Sequence, residues 1–317
     1  MNRMLIVIVN YRSAGLTLDC LASLAAAEIR PGRRVVVVEN ASGDDSAARL
    51  AAAVDAYGWG GWCRLLPLDR NLGFAGGNNA ALRPALAGPQ PPDSVLLLNP
   101  DTVVRPGAIS ALEDFLDSHP RVGLAGSRLE DPDGTPQRSA FRFPTVLSEL
   151  EGGLRFGPVS QLLAPWVVAP PVSDRPHRTD WMAGASLLVR REVFDRIGLL
   201  DEGYFLYFEE TDFCLRAARA GWPGWYVPAS RVVHLVGQSS GVTDTKRPAR
   251  RMPRYWFESR RRYFAVNHGR MYAALADAAY AAGFSLWRVR RWLQSKPDTD
   301  PPHLLGDFLR FSLTTPL

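Results

Sequence analysis

The 317-residue chain has little that would staple it together or carry it across a bilayer. Its three cysteines, Cys20, Cys63 and Cys214, lie far apart. They lack the paired spacing of a zinc site or a disulfide framework, which points to a reducing compartment. No apolar run approaches the roughly 18 residues that a membrane-spanning helix needs. The nearest candidate, residues 271–287, contains Asp277 and is flanked by arginines. Residues 4–9 are apolar, but six residues is strand length and too short for the apolar core of a signal peptide. The first strand is not followed by the G-x-G-x-x-G turn of a dinucleotide-binding oxidoreductase. Internal repeats are absent as well.

What remains is ordinary globular material: 46% hydrophobic and 22% charged residues, enough for one large domain or a domain with an appendage. The net charge of +5 is unevenly spread, with +11 in residues 246–296 and therefore −6 elsewhere. A mildly acidic body with a basic C-terminal segment calls for an anionic partner at that segment. Arginines interleave with aromatics from Arg254 to Phe264, a composition suited to an interfacial helix on anionic lipid, although a solvated helix face would read the same way.

Strand and helix patterns alternate through the first half. Residues 4–9, 34–39, 64–67, 94–98 and 122–127 read as strands, and 16–27, 45–57, 76–86 and 107–118 as helices. Regularity returns with a strand over 185–189, helices over 191–197 and 211–220, and two basic helix-like stretches over 255–267 and 271–292. The alternation implies an α/β fold with a mainly parallel sheet and helices on both faces. Residues 132–178, rich in Pro, Gly and polar residues, read as loops and short elements covering a site.

The apolar run Ser94-Val95-Leu96-Leu97-Leu98 stops at Asn99-Pro100-Asp101. Proline ends the ladder and presents an aspartate at the carboxyl end of a buried strand, where open α/β sheets bind ligands. Asn, Pro and Asp are also ordinary turn residues. Asn10 and Tyr11 end the first strand, and Glu39-Asn40-Ala41-Ser42 the second, at the same sheet edge. A carboxylate such as Glu39 there can accept hydrogen bonds from a ribose or base; Ser42 or Asp44 can instead cap the next helix. The glycine-rich run from Asn71 to Asn79 offers close backbone approach and a helix N-terminus for a phosphate. Glu209-Glu210-Thr211-Asp212 follows a heavily aromatic run, so its acids gather at the positive end of a helix. One of them can serve as general base, with Arg216 one turn on able to pair with Asp212. His234 ends a strand before Gly237-Gln238-Ser239-Ser240-Gly241.

Taken in order, these motifs resemble the family-2 inverting glycosyltransferases of GT-A fold, and among them the bacterial rhamnosyltransferase-like group. The resemblance covers residues 4–245 and leaves 246–317 as a basic, mainly helical extension. It implies a nucleotide-diphosphate sugar donor held by Asn10, Tyr11, Glu39, Asn71, Gly76, Asn99 and Asp101. It implies Mg²⁺ or Mn²⁺ on Asp101 and His234. It also implies a base at Glu210, with Glu209 and Asp212 as alternatives. Asn99 stands where the family's Asp-x-Asp motif has its first aspartate, and Glu210 where the family's base is aspartate. The acceptor would be a glycan or lipid-linked glycan in bacterial cell-surface polysaccharide synthesis, with rhamnose as the sugar. The enzyme would then be cytoplasmic and peripheral at the inner face of the plasma membrane, with no nucleic acid partner. A nucleotide-sugar-binding protein of impaired catalysis is the alternative, with the Asn99 replacement as its signature.

Overall fold

The computed structural model describes residues 3–235 and 250–314. Its strands are β1 Met4–Asn10, β2 Arg33–Glu39, β3 Cys63–Pro67, β4 Ser94–Leu98, β5 Thr102–Val104, β6 Leu124–Glu130, β7 Ala140–Phe141, β8 His177–Thr179, β9 Trp181–Met182, β10 Ser186–Arg190 and β11 Gly224–His234. Its helices are α1 Ala14–Ala27, α2 Ser46–Ala56, α3 Gly73–Ala87, α4 Ala108–Ser118, α5 Val146–Leu154, α6 Gly157–Leu162, α7 Arg191–Ile197, α8 Glu209–Arg219, α9 Arg254–His268, α10 Arg270–Leu293 and α11 Leu304–Thr314.

The central sheet runs in the order β3-β2-β1-β4-β10-β6-β11-β5, with β8 also paired to β11. Strands β3, β2, β1 and β4 are parallel, as the alternation implies. The second half is mixed: β10 enters antiparallel between β4 and β6, and β5 is antiparallel to β11. Strand β1 explains why the early strands read as continuous apolar runs. Met4, Ile6 and Ile8 pack with α1 and α4 on one face, while Leu5, Val7 and Val9 pack with α3 and α8 on the other. A side-chain period of two with both faces covered leaves no polar alternation.

Strand β11 has a bulge between Val227 and Arg231, next to Pro228. Its first half pairs with the start of β6, and its end carries β5 on its other edge. Strand β5 follows Asn-Pro-Asp directly and is only three residues long, so its existence depends on this tertiary pairing.

The C-terminal helices share two further apolar clusters with the α/β body. Tyr204 and Leu215 pack with Tyr263, Phe264, Ala273 and Ala276, and Phe257 packs with Phe284, Leu304 and Phe308. Helix α5, in the stretch expected to be loops, forms under a Thr145–Ser148 capping box and crosses α10 where Gly153 meets Gly283. A Cβ at Gly283 would stand 2.7 Å from the Leu150 carbonyl oxygen, so the crossing requires glycine. The boundary between residues 245 and 246 lies outside the described residues.

The interfacial reading of α9 is overturned. Arg260 is buried, with ion pairs to Glu149 at 2.6 Å and to Asp277. Arg261 faces Asp277 at 3.5 Å, Arg262 pairs with Asp201 at 2.7 Å, and Arg254 pairs with Glu258 at 2.7 Å. Arg260, Arg261 and Arg262 thus engage acids outside their own helix, while Arg254 makes an exposed pair one turn along α9. Burial raises the Glu149 carboxyl, and the Arg260 guanidinium opposes that rise. Arg260→Met should therefore leave Glu149 without its cation and Asp277 with only Arg261 at 3.5 Å, and cost about 3–5 kcal/mol at pH 7. Urea unfolding of the variant measures this, and a loss below 1 kcal/mol would assign the triad no more weight than a surface pair.

Candidate active site

A cleft opens along the carboxyl ends of β1, β2 and β4 and has two lobes. Tyr11, Ser13, Asn40, Asn71, Gly73, Asn99, Phe205 and Tyr255 contribute to the first, a cavity of about 360 Å³. Asp101, Arg138, Trp181, Gly184, Glu209, Glu210 and His234 contribute to the second, of about 410 Å³. Phe74, Asn99 and Leu206 line both, so the lobes adjoin.

The backbone around the cleft is strained. Of seven described non-glycine residues with positive φ, Arg12, Ala41, Tyr207 and Phe208 follow β1, follow β2 and precede α8. Such conformations cost of order 1–3 kcal/mol each and cluster at functional sites.

In the first lobe, Asn40 donates to Asn71 Oδ1 and to the Gly73 carbonyl, each at 3.0 Å, and accepts from the Leu72 amide at 2.9 Å. Tyr11 and Asn71 line the lobe as expected, and Asn40 joins them. Asn10 and Glu39 do not line it. Asn10 is fully buried, donating to Ser42 Oγ at 3.3 Å and accepting from Ser13 Oγ at 3.1 Å and Thr17 Oγ1 at 2.8 Å. Glu39 Oε1 accepts the Ser42 amide at 2.9 Å. Both brace the strand ends from behind. Asp44 accepts the Ser46 amide at 3.0 Å just ahead of α2, whose N-cap position is Asp45, so neither Ser42 nor Asp44 is the N-cap.

Gly76 is also reassigned. Helix α3 begins at Gly73, so Gly76 lies inside it and packs on Leu72, where a Cβ would come within 2.7 Å. Gly77 has the same need against Val9 at 2.8 Å. At Gly73 (φ +72°) a Cβ would fall 2.0 Å from the Phe205 carbonyl oxygen. Gly77 and Gly73 thereby let the helix dock closely on β1 and on the aromatic segment.

The second lobe gathers residues remote in sequence. Thr102 stands opposite His234 in the β5–β11 pairing, and the Leu235 amide donates to the Asp101 carbonyl at 2.9 Å. His234 Nε2 comes within 3.5 Å of Asp101 Oδ1, with Asp101 buried and His234 half-buried. Asn99 Oδ1 is buried without a hydrogen-bond partner beside them. Among the described residues no three His, Cys, Asp or Glu side chains group closely enough to hold a metal alone. The Gly-x-Ser-Ser-Gly loop over 237–241 lies outside the described residues.

Glu209 and Glu210 open α8, Glu209 buried and Glu210 half-buried, each with one carboxylate oxygen lacking a hydrogen-bond partner. Burial pushes the Glu209 carboxyl well above the usual range, and the Glu210 charge adds to it. Burial also raises Glu210, but amide donors from Glu210, Gly184 and Thr211 pull it back. Asp212 is set apart. It binds Arg216 at 2.7 Å and Asn267 at 2.8 Å and does not line the cleft, so it is a structural anchor.

Among the lining residues with no counterpart in the motif reading are Arg138 and Tyr255. Arg138 comes from the Pro- and Gly-rich middle stretch, and Tyr255 from α9. Neither carries a local signal, because only the tertiary fold brings it to the cleft.

A mixed sheet with helices on both faces, opening at its strand ends into a two-lobed polar and aromatic cleft, defines a GT-A glycosyltransferase. Two solved structures share the fold. One is a mannosyltransferase from Pyrobaculum calidifontis in complex with GDP-Man and Mn²⁺ (TM-score 0.59, 15% identity, 99% of this chain and 81% of that one). The other is GalNAc-T7 with UDP, GalNAc and Mn²⁺ (TM-score 0.59, 17% identity, 99% of this chain and 55% of that one). Residues 2–250 match the glycosyltransferase-like family 2, and the chain belongs to that family. It is 36% identical over 234 residues to the N-acetylglucosaminyl-diphospho-decaprenol L-rhamnosyltransferase of Mycobacterium tuberculosis, spanning 70% of this chain and 72% of that protein. It is 30% identical over 172 residues to the rhamnosyltransferase WbbL of Escherichia coli K12, spanning 51% and 60% respectively. The chain is a glycosyltransferase.

The raised carboxyls carry a stability consequence. The folded state holds these protons above the pH at which the unfolded chain releases them, so stability falls as pH rises through that window. Glu209→Gln should therefore raise the unfolding free energy by on the order of 1 kcal/mol at pH 7 and flatten its decline above the ordinary glutamate range. Chemical unfolding across pH measures this; an unchanged slope would show that Glu209 ionises normally.

Proposed function

We propose that this glycosyltransferase moves a hexose, rhamnose in the first instance, from a nucleoside diphosphate to a hydroxyl of a lipid-linked glycan, with inversion at the anomeric carbon. The supporting observation is the meeting of Asp101, His234 and the Glu209–Glu210 pair in one lobe that adjoins an aromatic and amide-lined lobe. The rhamnosyltransferase names of the two relatives favour the sugar, and the diphospho-decaprenol acceptor of the first favours a lipid-linked glycan.

The nucleoside lies in the first lobe, where Tyr11, Phe205 and Tyr255 offer ring faces and Asn40 and Asn71 are locked by their mutual bond. Asp101, His234 and the free oxygen of Asn99 suit a divalent cation such as Mg²⁺ or Mn²⁺, with donor phosphate oxygens completing its shell. When bound, that cation offsets the charge developing on the leaving diphosphate. Glu210 is the base. Burial raises both carboxyls of the pair, and the amide donors around Glu210 oppose that rise, favouring its ionised form as base. Glu210 takes the acceptor hydroxyl proton as the hydroxyl attacks the anomeric carbon from the face opposite the leaving group. Arg138, the one arginine lining the second lobe, holds a diphosphate oxygen by charge-assisted bonds.

A panel of nucleotide sugars assayed for metal-dependent diphosphate release, with the anomeric configuration of the product read by NMR, tests the reading. Inverted product is expected. Retention refutes the mechanism, and nucleotide binding without release by any donor–acceptor pair would mark a binding protein. Glu210→Gln should lower kcat by about 10²–10⁴-fold, with the acidic limb of the wild-type profile above the ordinary glutamate range. Asp101→Ala should lower turnover by about 10²–10³-fold; undiminished turnover removes Asp101 from the site.

A further inference from the structure

Helix α10 is apolar on both sides. Its inward face buries Ala273, Ala276, Asp277, Gly283, Phe284 and Arg291. Its outward face should carry charge if it met only water. Instead Met271 is 84% exposed, Leu275 58%, Leu286 58%, Val289 56%, Trp292 77% and Leu293 69%. Ala274, Ala278 and Ala282 are exposed between them. Positions 271, 275, 278, 282, 286, 289 and 293 follow a helical period, so this is one stripe of roughly 33 Å. Single exposed apolar residues need no explanation, but a continuous stripe marks a partner.

The charges around the stripe identify that partner. The only acid of α10, Asp277, is buried against Arg260. The exposed charges of the helix are Arg270 and Arg288. Pairing α10 with a second copy of itself would set these arginines near the partner's arginines with no exposed acid on the helix to meet them. An anionic lipid surface meets both features. Apolar side chains enter the boundary between headgroups and acyl chains, Arg288 reaches phosphates, and Trp292 has the amphipathic ring suited to that depth. No described helix is long and apolar enough to cross a membrane, so the helix would lie on the surface.

We propose that the outward face of α10 docks this protein on anionic lipid. The face is joined to the cleft: α9, which packs on α10, supplies Tyr255 to the first lobe. The proposal goes beyond the transfer reaction and does not depend on its acceptor or sugar.

The test uses the full chain without substrates. Wild type should float with vesicles containing phosphatidylglycerol and at least tenfold less with phosphatidylcholine alone. Leu275→Glu combined with Leu286→Glu should lower the floated fraction at least tenfold, with light scattering and the thermal midpoint as checks on assembly and folding. A fluorophore on Val289→Cys reports the face without a disruptive charge, since Cys20, Cys63 and Cys214 are buried. Its emission should shift to the blue on phosphatidylglycerol vesicles, and the same label on Ala51→Cys in α2 should not shift. Failure of wild type to float overturns the proposal. So does flotation without the Val289→Cys shift, or a lipid-indifferent dimer that the double substitution dissociates.

Discussion

The short antiparallel ladder between β5 and β11 is the contact on which the site depends. It registers Thr102 against His234 and ties the Asp101 carbonyl to the Leu235 amide. Residues 133 positions apart in the chain thereby come within 3.5 Å of each other at the bottom of the cleft. Three residues of strand would not persist alone. The bulge in β11 and the long β6–β11 pairing behind it hold the ladder in place. Strand β10 completes the frame, bonding β4 up to Leu98 and continuing through the Asn99 amide to the Ala185 carbonyl at 3.0 Å.

Around that contact the protein keeps several unfavourable arrangements. Two adjacent glutamates, one buried and one half-buried, have incomplete hydrogen bonding, and two successive non-glycine residues before them hold positive φ. Natural proteins concentrate such costs where a ligand or reaction needs them, and offset them with packing elsewhere. Here the offset includes the Asp212–Arg216–Asn267 anchor of α8, which also binds α8 to the C-terminal helices. The internal arginine triad of α9 and the glycine crossing of α5 and α10 fix those helices in turn. The C-terminal helices are therefore part of the structure that shapes the cleft.

Strands β1, β2 and β4 were legible because burial on both faces writes an unbroken apolar run, and the helices around them because their periodicity is local. The meeting of Asp101, His234, Glu209 and Glu210 was legible only through the order of motifs, since no spacing reveals a three-residue strand. Asn10 and Glu39 were placed at the correct sheet edge, but sequence does not say which partners a side chain takes, and both are hydrogen-bonded to Ser42 and do not line the cleft. Gly76 reads identically whether it admits a phosphate or a neighbouring side chain. The arginines of α9 looked like a lipid-facing pattern because their acids, Glu149 and Asp277, lie 111 and 17 residues from Arg260. The exposed stripe of α10 was hidden for a different reason: residues 271–292 read as a basic helix, and only the fold shows which face lacks cover.

The central claim is that Asp101 and His234, brought together by the β5–β11 ladder, hold one divalent cation against a nucleoside diphosphate. The most direct measurement is a Mn²⁺ titration followed by electron paramagnetic resonance, with nucleoside diphosphate present, on wild type, Asp101→Ala, His234→Ala and the double variant. Two ligands of one ion couple strongly, so the double variant should lose little more affinity than the worse single variant. Losses that simply add, or a His234→Ala variant that binds Mn²⁺ as wild type does, would contradict the account.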